Sequence, residues 1–207
     1  PANVASEAFQ RLLFGADNAL GLPGNGTLAS IDAITLDDVK GWYQTYFKPT
    51  GGQLIVVSDL AQDTVAAELK NQLADWQGKG PEIKVNTGAM KAKPGTIYLL
   101  DKPDAPQSEI RIGKRSLPQD ITGEFYQSGL MNFVLGGTFN SRINLNLRED
   151  KGYTYGARAG FNADKYAGTY TASAAVRADA TADSIRQFIN ELNAFQQTGI
   201  QDDELAF

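Results

Sequence analysis

Arg148 and Tyr155 are the residues in this sequence whose types and spacing best suit chemistry. A guanidinium offers several N–H donors and a phenol one O–H. If Arg148 lies near the C-terminus of a helix and Tyr155 on the strand that leaves it, both point to one side of the junction. Together they would suit a peptide carbonyl or a developing oxyanion. The plainer account pairs Arg148 with Glu149 or Asp150 on the surface and packs Tyr155 on a sheet. The pair Gly136-Gly137 reads first as a helix stop and only second as a ligand contact.

Composition narrows the remaining chemistry. The 207 residues include no histidine and no cysteine, so the usual nitrogen and sulfur donors to catalytic zinc are missing, and a metal site would need carboxylates and carbonyls alone. The same absence removes Ser-His-Asp and Cys-His systems, whose base is an imidazole. Acid/base work by Asp, Glu, Lys or Tyr remains formally available. The Gly/Pro/Asn-rich run 21–26 lacks a preceding strand and a following Lys-Ser/Thr, so it is a loop and not a phosphate cradle. Trp42, Tyr43 and Tyr46 recur at helical spacing, which makes them core or domain-interface residues before a stacking platform. A formal charge of −5 without a basic block gives no electrostatic footprint for nucleic acid. No stretch approaches the roughly 20 apolar residues of a membrane span, and no signal peptide is visible. The chain opens at Pro1 without an initiator methionine and stops at Glu204-Leu205-Ala206-Phe207, which reads as a piece of a longer protein.

The elements that would position these residues follow from periodicity. Val4, Phe9, Leu12 and Leu13 fit a short amphipathic helix. Thr35 followed by Asp38 resembles a capping box, and the helix behind it carries Val39, Trp42, Tyr43 and Tyr46. Leu54, Ile55, Val56 and Val57 form an all-apolar run that predicts a buried strand, and a helix follows from Asp63 with Val65, Leu69, Leu73 and Trp76 on one side. Residues 78–95 are rich in Gly, Pro and Lys and read as a linker. Strands are predicted over 96–100 and 108–113, then a helix over 121–135 stopped by the glycine pair. Ile143, Leu145 and Leu147 alternate as in a strand, but Ile143 and Leu147 also fit a helix, and the polar run before Gly152 favours the helix. Tyr153, Tyr155, Ala157, Ala159 and Phe161 alternate, as do Tyr170, Ala172, Ala174 and Val176, so together they predict an antiparallel hairpin. Its alanines require something, most simply a helix, to pack closely against them. If the hairpin has a free edge, an extended peptide could add to it through main-chain hydrogen bonds; an internal strand with both neighbours paired is the alternative. The last full helix runs over 181–197, and Asp202, Asp203 and Glu204 start another. The expected class is α+β, an antiparallel or mixed sheet with helices packed on one face.

The order Leu135-Gly136-Gly137-Thr138-Phe139-Asn140-Ser141-Arg142-Ile143, then Leu147-Arg148-Glu149-Asp150-Lys151-Gly152-Tyr153-Thr154-Tyr155, resembles the C-terminal half of the pitrilysin/insulinase zinc metallopeptidases. Gly26-Thr27 to Ile31, Ile34-Thr35, Tyr46, Pro49 and the approach to Ser58-Asp59 are similar to the closing part of that family's preceding domain. Gln107-Ser108 and the start at Asp202 also fit. The resemblance implies domains at 1–80 and 96–207 joined by a linker at 81–95. It implies a non-catalytic half that clamps an extended peptide, with Arg148 and Tyr155 reaching across a cavity to bind substrate and steady the transition state, and Gly136 and Gly137 near the substrate. Such peptidases hold zinc on an inverted His-x-x-Glu-His motif in their other half. That motif does not occur here, so no metal ligand is assigned and zinc would belong to an upstream domain or a partner subunit. An inactive homologue serving as a peptide-binding or scaffold module would share the same pattern. Similarity to exported bacterial members points to a periplasmic or cell-envelope location.

Overall fold

The computed structural model of the chain describes residues 1–87 and 93–206. In chain order its elements are α1 (Ala2–Phe14), α2 (Leu28–Ala33), α3 (Leu36–Tyr46), α4 (Gln62–Gln72), β1 (Gln107–Ser116), α5 (Glu124–Asn132), α6 (Arg142–Asn144), β2 (Thr154–Ala163), β3 (Gly168–Arg177) and α7 (Thr181–Thr198). Two π-helical turns, Phe133–Gly137 and Leu145–Asp150, continue α5 and α6. The chain divides into two units, Asn25–Lys84 and the remainder, in which Pro1–Gly24 joins Val85–Phe207.

The larger unit is built on a three-stranded antiparallel sheet of order β1-β3-β2. Side chains alternate across a strand, so Ala172, Ala174 and Val176 of β3 share one face, where each is at most 5% exposed. Ile110, Ala157 and Ala159 lie on that same face beside Leu135, Ile143 and Leu147 of the α5–α6 region and Phe188 and Phe195 of α7. Phe188 is completely buried, and burial of one such side chain contributes about 2–3 kcal/mol. The alanines are small because helices press on them: a Cβ at Gly136 would sit 2.5 Å from the Ala159 nitrogen. This α+β arrangement is the one expected from the sequence.

Residues 1–24 depart from the expected grouping with 25–80. Leu13 and Phe14 of α1 are buried with Ala167 from the loop between β2 and β3, and Arg115 of β1 lies over the Phe14 ring at 5.1 Å. A short amphipathic helix buries its apolar stripe on the nearest available face, and here that is the sheet. The expected linker 81–95 straddles the division between Lys84 and Val85, and its residues 88–92 lie outside the described residues.

In the smaller unit α2 and α3, two of its three helices, open with capping boxes. Thr27 pairs with Ser30, and Thr35 with Asp38, whose carboxylate accepts the Thr35 N–H at 2.9 Å. Tyr43, Phe47 and Trp76 stack in series at 4.8 and 5.3 Å, and the Trp76 indole donates to the Phe47 carbonyl. No residue of this unit is buried. The predicted strand 54–57 is not formed, and Ile55 and Val57 are 85% and 96% exposed. A strand needs a neighbour to pair its backbone, and Asn25–Lys84 contains no second one. Nor is the predicted strand 96–100 formed, with Ile97 and Leu99 at 78% and 87% exposure; it pairs with neither edge of the sheet.

Candidate functional site

The two stretches with the densest chemical pattern both fold into π turns. Such turns are rare and redirect the side chains that follow them. The first ends at Gly137 and gives way to extended backbone at Thr138, so the glycine pair does stop the helix. Gly136 also lets that turn touch β2, as its missing Cβ shows. The second turn carries Arg148. Its guanidinium stacks over the Phe139 ring at 4.2 Å and approaches Glu149 at 2.9 Å, an ion pair lying off the hydrogen-bond line. Both the surface pairing with Glu149 and the expected position near the helix end are therefore realised.

Tyr155 sits on a β-bulge. Thr154 pairs with Val176 and Ala157 with Ala174, so two residues of β2 oppose the single Ala175 of β3. Thr154 fills the gap with its own hydroxyl, donating to the Ala175 carbonyl at 2.7 Å and accepting the Gly156 N–H at 3.1 Å. An inserted residue breaks the two-residue alternation. Tyr155 consequently leaves the face it would share with Ala157 and Ala159 and is 93% exposed. Among the described residues no hydrogen bond, ion pair or ring contact joins Arg148 to Tyr155, and the phenol has no partner.

Two asparagines complete the arrangement, and sequence reasoning passed over both. Asn144, 4% exposed, donates to the Phe139 carbonyl at 2.7 Å and accepts the Ala157 N–H at 2.9 Å. One side chain thus holds both the loop beneath Arg148 and the strand that carries Tyr155. Asn132, 3% exposed, donates to the Ala159 carbonyl at 2.7 Å. β2 is an edge strand, yet at Ala157 and Ala159 its edge is occupied by these amides, which closes that stretch to peptide addition. The available signal was a lone amide interrupting an apolar run, Leu130-Met131-Asn132-Phe133 and Ile143-Asn144-Leu145.

Arg142, the other arginine of the pattern, has a different role. It ion-pairs with Glu204, donates to the Gly199 carbonyl at 2.8 Å and lies over Phe195 at 5.1 Å. It ties the chain end to α7. Tyr153, at the start of β2, donates to Asp183 at 2.9 Å and so fixes the strand against the first turn of α7.

Among the described residues no group of three or more acidic side chains could hold a metal ion. With no imidazole or thiolate in the sequence, the donors around Arg148 and Tyr155 do not fit zinc. What they can do is donate hydrogen bonds to a carbonyl oxygen or an anion.

Known proteins give this geometry a context. Residues 33–206 match the family described as the peptidase M16 inactive domain. An uncharacterized zinc protease of Streptomyces coelicolor is 24% identical over 211 residues, covering 99% of this chain and 45% of that protein. A non-peptidase homolog from Helicobacter pylori is 29% identical over 143 residues, covering 69% of this chain and 32% of that protein. The crystal structure of a peptidase M16 inactive domain from Pseudomonas fluorescens superposes with a TM-score of 0.79 at 21% identity, over 100% of this chain and 49% of that one. The chain therefore spans less than half the length of each of these proteins. Since the family match covers most of the sequence and includes both π turns and the bulge, this chain belongs to the peptidase M16 inactive-domain family.

Proposed function

We propose that the chain is the substrate-clamping, non-catalytic half of a zinc-dependent endopeptidase, with the zinc held by another domain of the same protein or by a partner subunit. The observation that carries this reading is the presentation of Arg148 and Tyr155. Tyr155 projects from a bulge with its hydroxyl unpartnered among the described residues, and Arg148, seven residues earlier, stands on the Phe139 ring, partly exposed, with Nη1 on Glu149 and further N–H donors beyond it. A folded chain that needed the Tyr155 phenol for stability would pair or bury it. Two donors on short, well-anchored supports suit the carbonyl oxygen of an extended peptide and the negative charge that develops on it. Gly136 and Gly137 would shape the floor next to that peptide.

The test is turnover of a quenched-fluorescence peptide by the full-length protein carrying this chain. Arg148→Ala and Tyr155→Phe are expected to lower kcat/KM by roughly 10²–10³-fold, the usual cost of losing an oxyanion donor, with thermal unfolding unchanged. Loss of the fold in either variant would make the residues structural and overturn their direct role.

A second reading is an inactive homologue serving as a peptide-binding or scaffold module, favoured by the Helicobacter pylori non-peptidase homolog. It expects no zinc-dependent proteolysis from the full-length protein. Similarity to exported bacterial proteases supports a periplasmic or envelope location, which fractionation of the source cells would test.

A further inference from the structure

The sheet face turned away from the core carries a second arrangement of donors. β1, β3 and β2 are in register so that Arg111 pairs with Ser173, and Ser173 with Arg158. Directly paired residues project to the same face. A serine is therefore flanked by two arginines, whose Cα atoms are separated by two inter-strand spacings, about 10 Å. The next row in the same register is Gly113, Thr171 and Gly160; Phe9 covers the Gly113 end, where a Cβ would sit 2.9 Å from its ring, and the Thr171–Gly160 end carries one short side chain. A Cβ at Gly160 would meet nothing within 4 Å. Arg111, Ser173, Arg158, Thr171 and Gly160 line a depression of about 590 Å³, walled by Phe9 of α1 and by Asn132.

Several of the polar groups here are unengaged. Arg111 uses Nη1 on Glu109 at 3.1 Å and on the Ile110 carbonyl at 2.9 Å, which braces the side chain; among the described residues its Nε and Nη2 have no partner. Among the described residues Arg158 has no acidic partner, and the Ser173 and Thr171 hydroxyls have no hydrogen bond. Asn132 is buried with Oδ1 unpartnered. In a chain of net charge −5, two guanidiniums on one polar patch whose one acidic contact among the described residues is Glu109 form a local excess of donors. Planar carboxylates are the group that such forks match.

We propose that Arg111, Ser173 and Arg158 form a carboxylate subsite that gives this domain a preference for acidic peptides. The two guanidiniums converge on the carboxylate above Ser173, whose hydroxyl donates to it. The open shelf at Thr171 and Gly160 leaves room for the peptide backbone. This deepens the proposed peptide-clamping role and rests on it.

Fluorescence anisotropy of labelled ten-residue peptides with the full-length protein tests it. One peptide carries a central Glu and an amidated end, a second has Gln in that place, and a third has Gln with a free C-terminal carboxylate. The Glu peptide is expected to bind roughly tenfold more tightly than the amidated Gln peptide, as charge-assisted hydrogen bonds would give. That preference should shrink with salt and vanish in Arg158→Ala, an exposed position whose loss leaves the melting temperature unchanged. Tighter binding by the third peptide instead would mean that the terminal carboxylate is the ligand. Equal affinities for all three, or a preference that survives Arg111→Ala/Arg158→Ala, would overturn the subsite while leaving the role of Arg148 and Tyr155 intact. No binding by any peptide would overturn the clamping reading along with it.

Discussion

Asn144 is the residue on which the presentation of Tyr155 and Arg148 converges. Its amide spans from the Phe139 carbonyl to the Ala157 N–H, and Phe139 is the ring beneath Arg148. Neither Arg148 nor Tyr155 is held in place by a direct bond to the other, so the relation between them passes through this buried amide. Replacing Asn144 by Ala would leave the buried Ala157 N–H unpaired and release the Phe139 carbonyl, of which the buried group alone costs about 1–3 kcal/mol. Asn144→Asp keeps the acceptor for Ala157 and loses the donor to Phe139, so it should fall between. We expect melting temperatures in the order wild type, Asn144→Asp, Asn144→Ala. We also expect turnover by the full-length protein to drop in Asn144→Asp under conditions where it stays folded. Equal activity in Asn144→Asp would show that the loop beneath Arg148 does not need this tether. The sequence marks Arg148 and Tyr155 by type and spacing, because functional donors are read from chemistry. It does not mark Asn144, because the value of a single amide depends on which backbone groups the fold brings within 3 Å.

At the scale of elements, the molecule relies on junctions more than on long regular segments. The π turns, the bulge at Tyr155 and the short segment after α7 fix where side chains point. The last of these is held by the Arg142 ion pair with Glu204, whose carboxyl also accepts the Gln201 N–H at 2.7 Å. The hydrogen bond from Arg142, chiefly, and that from the Gln201 backbone hold the Glu204 carboxyl below its ordinary range, against a smaller opposing effect of burial. A carboxylate whose folded pKa is depressed contributes stability that is fully present above its unfolded pKa, about 4.3, and that is lost as pH falls through the lower folded value. Wild type should therefore lose protection of amides 200–204 to hydrogen exchange as the pH drops below about 4. In Glu204→Gln those amides should be less protected at neutral pH and change little on acidification. Parallel acid profiles in the two proteins would mean that other carboxylates govern the release. Regular elements were legible where one period dominates: the alternation that gives β1, β2 and β3 and the stripe of α7 both appear as read. The bulge was not, because an inserted residue keeps the alternating letters intact while turning one of them outward. The choice of helix over strand for 143–147 rested on its flanks, and the fold resolves it as α6 running into a π turn.

Taken whole, the chain has one good core and one unit without any. Every described residue of Asn25–Lys84 is at least partly exposed, including Leu28 at 84%, Leu36 at 67% and Trp42 at 60%. Apolar surface of this kind is a liability in water at about 25 cal/mol per Å², and contiguous patches on a soluble protein mark contacts with something else. Two of its three helices, α2 and α3, nevertheless open with capping boxes, so the local code is sound there and what is missing is a surface to pack against. That explains why the apolar run 54–57 forms no strand here. An apolar run announces a buried strand only when its pairing partner is within reach, and this chain spans 45% of the Streptomyces coelicolor protein it matches. We expect the chain by itself to enhance the fluorescence of an apolar dye, and Ile55→Glu/Val57→Glu to reduce that signal without changing the melting of the sheet unit. In the full-length protein the amides of 54–57 should exchange at least a hundredfold more slowly than in the isolated chain, as pairing into a sheet would produce. Equal exchange in both would mean that the apolar face of Asn25–Lys84 stays open in the complete protein and is kept for another molecule.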